Sequence, residues 1–316
     1  MSSLKFVNWL RLWIDSEAAP VNKSETVNWG RCLPFVFMHL ICLAALWTGV
    51  SAFALVFCIA FFWLRMLAIT AFYHRYFSHR SFKTSRPAQF IFAVMGNMAA
   101  QRGPLWWAGH HRHHHQHSDQ PSDLHSPVQR SFWWSHMGWF TCNASFPTPY
   151  ERIRDFARFP ELMFINRFDA LVPLLTLIII YGGGEALATW MPELGTNGPQ
   201  LVVWGFFIST TLLFHSTVTI NSLAHVWGKR RFNTNDNSRN NAFLALITLG
   251  EGWHNNHHHY PVSARHGFDR REIDITYLAL LILKRLGIIW ELKPVPARVH
   301  AEMIQPGAPA PQDTTP

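Results

Sequence analysis

The sequence predicts an all-α integral membrane protein, with four transmembrane helices and a cytoplasmic helical cap rich in histidine. Three observations lead there. Of 316 residues, 49% are hydrophobic and only 15% charged, against roughly 25% charged in a soluble domain. No Lys or Arg lies between Cys32 and Leu64 or between Asp169 and Gly228. The 19 His equal the Asp and Glu together, and all but His39 and His215 fall outside the apolar runs. The 25 Phe and 15 Trp exclude a disordered chain, which is poor in aromatics.

Residues 1–31 read as a cytoplasmic segment. Asn8, Arg11 and Asp15 interrupt any signal-peptide core. Phe6, Trp9, Leu10 and Trp13 recur at helical spacing beside Lys5 and Arg11, as in a short interfacial helix. The uncharged run from Cys32 to Leu64 is too long for one span of roughly 20 residues. It predicts two spans, about 33–48 and 51–72, joined at Thr48-Gly49-Val50-Ser51. Two more are expected at about 170–190 and 201–221, around Pro192, Gly195, Gly198 and Pro199. Ala88–Ala100, Ile153–Phe168 and Ile273–Trp290 are apolar but too short or too charged to span, so they are expected as interfacial or re-entrant helices. Residues 32–292 form one expected domain, and the Pro- and Ala-rich tail 293–316 is expected to be disordered. Cys32, Cys42, Cys58 and Cys142 form no CxxC pair and read as reduced packing residues.

All 27 basic residues fall in the N-terminal, central and C-terminal segments. By the positive-inside rule these lie in the cytoplasm, so the net charge of +8 reads as topology and not as a nucleic-acid surface. A bacterial inner membrane is the expected location.

The cytoplasmic histidines cluster. His74-Arg-Tyr-Phe-Ser-His79 closes the second span. His111-Arg-His-His114-His115 lies in the central segment, Asn221-Ser-Leu-Ala-His225 closes the fourth span, and His254-Asn-Asn-His257-His258 follows Gly250-Glu-Gly-Trp. On a helix advancing about 100° per residue, H-x-x-H-H places three imidazoles on one face about 100° wide. The same arithmetic sets His110, His113, His117 and His259 off that face. His74 and His79, five apart, are about 140° apart on a regular helix and converge only if it ends or unwinds. Nine box histidines exceed the roughly six ligands of one octahedral ion and imply two metals. Asn221 is placed to hold a metal-bound water. Asp119, Glu251 and Asp269 are candidate acceptors for ring N–H groups. His136, His266 and His300 read as interfacial side chains, and His39 and His215 as helix–helix hydrogen-bond partners.

The order H-x4-H, H-x-x-H-H, H-x-x-H-H resembles the membrane fatty-acid desaturases. The fuller strings resemble most the acyl-CoA Δ9 (stearoyl-CoA type) desaturases of bacterial type, without a fused cytochrome b5 domain. Departures are His110, where an acidic residue is common, and the extra His113 and His259. The resemblance covers about residues 33–268. It implies a di-iron (Fe2+/Fe3+) site, O2 as co-substrate, and insertion of a cis double bond into a saturated acyl chain. One iron would take His74, His79, His111, His115 and His257. The other would take His114, His225, His254 and His258, with Asn221 through water. An apolar tunnel would then position the chain. Trp106, Trp107, Trp139 and Trp253 are candidates to line it, and Cys58 and Phe62 to close it. Gln101 and Arg102, with Arg86 and Arg130, are candidates for an anionic headgroup.

The resemblance favours an acyl-CoA substrate. A phospholipid-linked chain, a di-iron alkyl hydroxylase and, more remotely, a metal transporter are alternatives. The transporter would require ionisable residues along the spans, where only His39 and His215 are found. The chain carries no flavin, haem or iron–sulfur motif, so electrons are expected from a separate ferredoxin or cytochrome b5 type partner and its reductase. The remaining expected partners are membrane lipids.

Overall fold

A computed structural model of the chain describes residues 11, 14–18 and 24–302. The expected interfacial helix around Phe6, Trp9, Leu10 and Trp13 lies outside them.

Among the described residues, four helices are long and apolar enough to cross a membrane: Trp29–Thr48, Ala52–Ser78, Leu171–Trp190 and Gly198–His225. The first opens as α1 (Trp29–Ile41), capped by the Asn28 side chain, which accepts from the Arg31 N–H. Gly49, at φ 64°, closes that span, and Ser51 caps α2 (Ala52–Leu67) by accepting from the Ala54 N–H. The positive φ makes glycine the suitable residue at this turn. Beyond α2 the span continues as a π-helix from Ala68 to Ser78. The second and fourth spans thus run past the lengths expected from hydropathy and carry their histidines out of the membrane on the same helices.

The cap is built from shorter helices. They are α3 (Arg86–Asn97), α4 (Pro104–His117) and α5 (Pro160–Arg167), then, after the third span α6 (Leu171–Trp190) and the last helical run of the fourth, α7 (Ser209–Ser222), α8 (Ala242–Ile247), α9 (His254–His259), α10 (Ile275–Arg285) and α11 (Ala297–Ala301). The segment expected as one helix over 153–168 is broken before Pro160, which opens α5 instead. A two-residue antiparallel pair, β1 (Lys83–Thr84) and β2 (Ile289–Trp290), ties the start of the cap to its end.

The main core lies where the second span enters the cap. Met66, Ile69, Phe72, Tyr73 and Phe77 meet Phe92 of α3, Leu105 of α4, Leu162 of α5 and Leu280 of α10. The spans show the opposite pattern, with Leu46, Trp47, Ile179 and Trp190 facing outward, as a hydrocarbon solvent permits.

Two expectations are corrected. Arg65 was counted with the cytoplasmic charges, but it lies inside α2 and is fully buried. Its guanidinium donates to Thr210 Oγ1 (2.6 Å), Ser209 Oγ (2.5 Å) and the Met98 carbonyl (3.4 Å), at the C-terminal end of α3. The disordered tail was expected to begin at 293, but residues 293–302 are placed. Lys293 donates its N–H to Ser81 O and accepts from the Ala264 N–H, and Val299 of α11 is buried with Phe232 and Phe268. One well-placed apolar side chain and two backbone bonds outweigh a Pro-rich composition there.

Candidate metal centre

The π-helix settles how His74 and His79 meet. In a helix bonded i to i+5, residues five apart stack one turn above the other. The His79 N–H donates to the His74 carbonyl at 3.2 Å, and the two ring centroids are 4.9 Å apart. Gly250 and Gly252 shape the opposite wall. A Cβ on Gly250, at φ 125°, would sit 2.5 Å from Asp274 Oδ1, and one on Gly252 would sit 2.0 Å from the Ala245 nitrogen. Only glycine lets that turn pass and aim Glu251 inward.

Ligand nitrogens of His74, His79, His111, His115 and His257 lie within 4.8 Å of one another, and those of His114, His225, His254 and His258 do the same. Helix α4 serves both groups, giving His111 and His115 to one and His114 to the other. Helix α9 does likewise with His257 against His254 and His258. Asn221, one turn before His225, lines the adjoining cavity together with His111.

The chemistry of these nitrogens fits metal ions. Carboxylates take the outer nitrogen of four rings. His74 Nδ1 is 2.5 Å from Glu251, His114 Nδ1 2.9 Å from Asp123, His225 Nδ1 3.0 Å from Asp119, and His258 Nδ1 2.6 Å from Asp236. A ring N–H donated outward leaves the Nε2 lone pair pointing in. Those inner atoms crowd one another. Nε2 pairs lie 2.9 Å apart for His74–His257 and His257–His115, 2.8 Å for His79–His111, and 3.0 Å for His225–His254. His258 Nε2 is buried with no hydrogen-bond partner among the described residues. Buried nitrogens that cannot all be satisfied by one another call for an unseen partner, and a cation is the partner that converging lone pairs accept.

The protonation states agree. Burial first, and neighbouring imidazoles second, hold His79, His111, His115, His254 and His257 well below the ordinary histidine range. Burial alone would raise Asp119 and Asp236, but the hydrogen bonds and charge of His225 and His258 outweigh it and keep both carboxyls below the usual range. Neutral imidazoles at those five positions, and ionised carboxylates behind His225 and His258, suit metal binding.

Sequence reasoning found Asp119 and Glu251 but missed Asp123 and Asp236. Asp123 stands four residues after Asp119, and Asp236 sits in a polar loop with no periodic signal. Asp269 is corrected. It is exposed and its carboxylate accepts from the Arg271 N–H, not from a box histidine, because the turn after Phe268 points it outward. His266 and His136, expected at an interface, are buried. His266 Nδ1 is 3.3 Å from Glu251, and His136 bonds to Ser222 and His215. The off-face rings His110 and His113 instead lie against backbone carbonyls of Pro147 and Ser122.

A cavity of about 940 Å³ adjoins the first group. Gln101, Arg102, Trp106, Trp107 and Trp139 line it, with Phe206, Phe207 and Leu177 towards the membrane interior. Trp107 stacks on His111 with centroids 5.0 Å apart. Arg102 is ion-paired to Asp169 at 2.6 Å, and Gln101 donates to Thr217 Oγ1 at 3.0 Å. Arg86 is paired with Glu161 and Arg130 with Glu25, so neither faces the cavity. Trp253 donates its ring N–H to the Ile273 carbonyl, away from it. Cys58 and Phe62 are corrected as well. Neither lines the cavity, and Phe62 packs on the core. The wider π-turns of Ala68–Ser78, between these residues and the boxes, rotate that face away.

The fold and site together define a helical membrane protein with two histidine-walled, metal-capable groups beside an apolar cavity. The profile of the fatty acid desaturase family matches residues 24–271, and the chain belongs to that family. It is similar to the sn-1 stearoyl-lipid 9-desaturase of Anabaena variabilis, at 34% identity over 276 residues, covering 84% of this chain and 94% of that protein. The palmitoyl-monogalactosyldiacylglycerol delta-7 desaturase of Arabidopsis thaliana is 33% identical over 297 residues, covering 92% of this chain and 72% of that one. The icosanoyl-CoA 5-desaturase of Limnanthes douglasii is 34% identical over 262 residues, covering 82% and 70%.

Proposed function

We propose that this protein is an O2-dependent desaturase that inserts a cis Δ9 double bond into a saturated acyl chain. One observation carries the reading: two groups of converging imidazole nitrogens stand beside an apolar cavity that reaches His111 and Asn221. In this reading His74, His79, His111, His115 and His257 hold one iron ion, and His114, His225, His254 and His258 hold a second, with Asn221 through water. Iron, supplied with O2 and two electrons, provides the oxidising power to remove hydrogen from two adjacent methylenes.

The chain's own residues do the rest. Glu251, Asp123, Asp119 and Asp236 fix ring tautomers and hold the imidazoles in place. Trp106, Trp107 and Trp139 exclude water from the cavity beside His111. Methylenes are chemically alike, so position is chosen by how far the chain runs in before it stops. Phe206, Phe207 and Leu177 provide that stop.

A coenzyme A thioester and a glycerolipid both present an anionic or polar head to Arg31, Gln101 and Arg102. The cavity favours the glycerolipid. Its edge residues Phe37 and Leu174 belong to the first and third spans and are each 56% exposed on the bilayer face. Electrons come from a separate ferredoxin or cytochrome b5 type protein on the cytoplasmic side, where both termini lie, in a bacterial inner membrane. The test is lipid mass analysis of an expressing host fed defined saturated chains, with metal analysis of the purified protein. Loss of two mass units and about two irons per chain are expected. A gain of one oxygen would instead make it a hydroxylase.

A further inference from the structure

The wall of the cavity that faces the bilayer is built differently from the others. Helix α1 gives the cavity Cys32, Pro34, Phe35 and Met38, yet Cys32 is the one buried residue in Trp29–Ile41. Its backbone is weak at two places. Pro34 lies inside the helix, where it removes a hydrogen bond, and the path tightens to a 3-10 turn at Cys42–Ala44. Between them stands His39.

Three imidazoles run in a line from His39 through the fourth span into the cap. His39 Nδ1 donates to the Phe35 carbonyl at 2.7 Å, which makes Nε2 of the neutral ring an acceptor. His215 Nε2 then donates to it at 2.9 Å, and His215 Nδ1 accepts from His136 Nε2 at 3.1 Å. Ser222 Oγ lies 2.9 Å from His136 Nδ1 and ends the run, with the Val218 carbonyl at 3.0 Å as the other acceptor for its one proton. With the Ser222 proton turned to His136, every nitrogen is used once and in one direction, and the run needs no ion and no carboxylate. One turn past His39, Cys42 Sγ lies 3.5 Å from Thr211 Oγ1 of α7. Ionisable side chains inside a bilayer mark function, and neutral hydrogen bonds between spans are of modest strength. They part and re-form without stranding a charge in hydrocarbon.

We propose that α1 is the door by which an acyl chain passes from the bilayer into the cavity, and that the His39–His215–His136 run is its latch. The seam that opens lies between α1 and α6, where Phe37 and Leu174 face both cavity and lipid. The proposal rests on reading the cavity as the acyl site. His39, His215 and His136 are positioning residues: they touch no reacting atom and set how often the wall opens.

The test locks the door. Thr211→Cys places a thiol against native Cys42, and diamide closes the pair in the full chain, held in vesicles of saturated phosphatidylcholine. Mass spectrometry verifies the disulfide. Two readouts follow: labelling of cavity-lining Cys32 by a bilayer-dissolved alkyl maleimide, and formation of unsaturated chains by the iron-loaded protein with reduced ferredoxin and reduced cytochrome b5 supplied under air. Locking is expected to slow both about tenfold or more, with recovery on reduction, while Cys42→Ser/Thr211→Cys stays unaffected by oxidant. His39→Leu carries the same test without a disulfide. It should speed Cys32 labelling about threefold to tenfold, the worth of one interhelical hydrogen bond, and change KM more than kcat. Locked protein that labels and desaturates at the unlocked rate, or His39→Leu that labels as wild type, overturns the door. Labelling that follows the lock without any unsaturated product upholds the door and overturns the desaturase reading.

Discussion

Asp236→Asn isolates one carboxylate behind one ligand of one metal. Asp236 Oδ2 lies 2.6 Å from His258 Nδ1, and Oδ1 accepts from Thr234 Oγ1 and from the Ser238 N–H. Asparagine keeps the shape and the Oδ1 acceptor, so the loop stays folded. What it removes is the negative charge that commits the His258 proton to Nδ1. With Oδ1 kept on those two donors, the amide NH2 faces His258 Nδ1 and pushes that proton to Nε2, the atom that faces His114, His225 and His254. Outer partners of metal-bound histidine are worth about 10–100-fold in affinity, or about 1.4–2.7 kcal/mol. Losing a hydrogen bond to a charged group, about 1.5–3 kcal/mol, gives the same scale. Asp236 makes no hydrogen bond to the group around His257, so only one of the two sites should weaken. The measurement is iron per chain after dialysis against graded chelator. At concentrations where wild type keeps both metals, Asp236→Asn should keep about one. A variant that holds iron as wild type does, or that loses both ions together, would refute the reasoning.

Three further outcomes are expected. His257→Ala should abolish product and lower bound iron, because its Nε2 lies 2.9 Å from the Nε2 atoms of both His74 and His115; full activity would sink the first ligand set. Leu177→Trp should shift the product profile towards shorter chains, whereas Phe62→Ala, which lies outside the cavity, should leave it unchanged, both read by gas chromatography of lipids. His136 is held neutral down to about pH 4 by burial first and His215 second. A depressed histidine pKa means that folding expels a proton, so stability is full above the unfolded value near 6.5 and falls as pH drops towards 4. Thermal unfolding of metal-free wild type and His136→Gln between pH 8 and 5 should show the shallower slope in the variant.

Much of the site could be read from the chain because the boxes obey local geometry. His111, His114 and His115 on α4, and His254, His257 and His258 on α9, each present their rings from a single helix, and helical phase alone separates them from His110 and His113. The carboxylates were harder. Glu251 sits beside its box, but Asp236 reaches His258 across 22 positions from an irregular loop, and no periodicity marks such a residue. Arg65 was miscounted because sequence offers no view of Ser209, Thr210 and the end of α3 converging on it. Cys58 and Phe62 were misplaced because a π-helix has no sequence signature, and a change in residues per turn turns every upstream side chain.

By itself, the sequence determined the membrane class, the spans and the nine candidate ligands. Each of these depends on hydrophobic run length, charge position or spacing within one element, and those are properties of the chain alone. Tertiary structure decided which histidines share a group, since α4 and α9 each divide their rings between two centres. It also decided which carboxylates hold them, where the cavity ends, and how three scattered rings, His39, His136 and His215, line up across the first wall. These depend on contacts between elements far apart in sequence, and only the packing of the folded chain sets those distances.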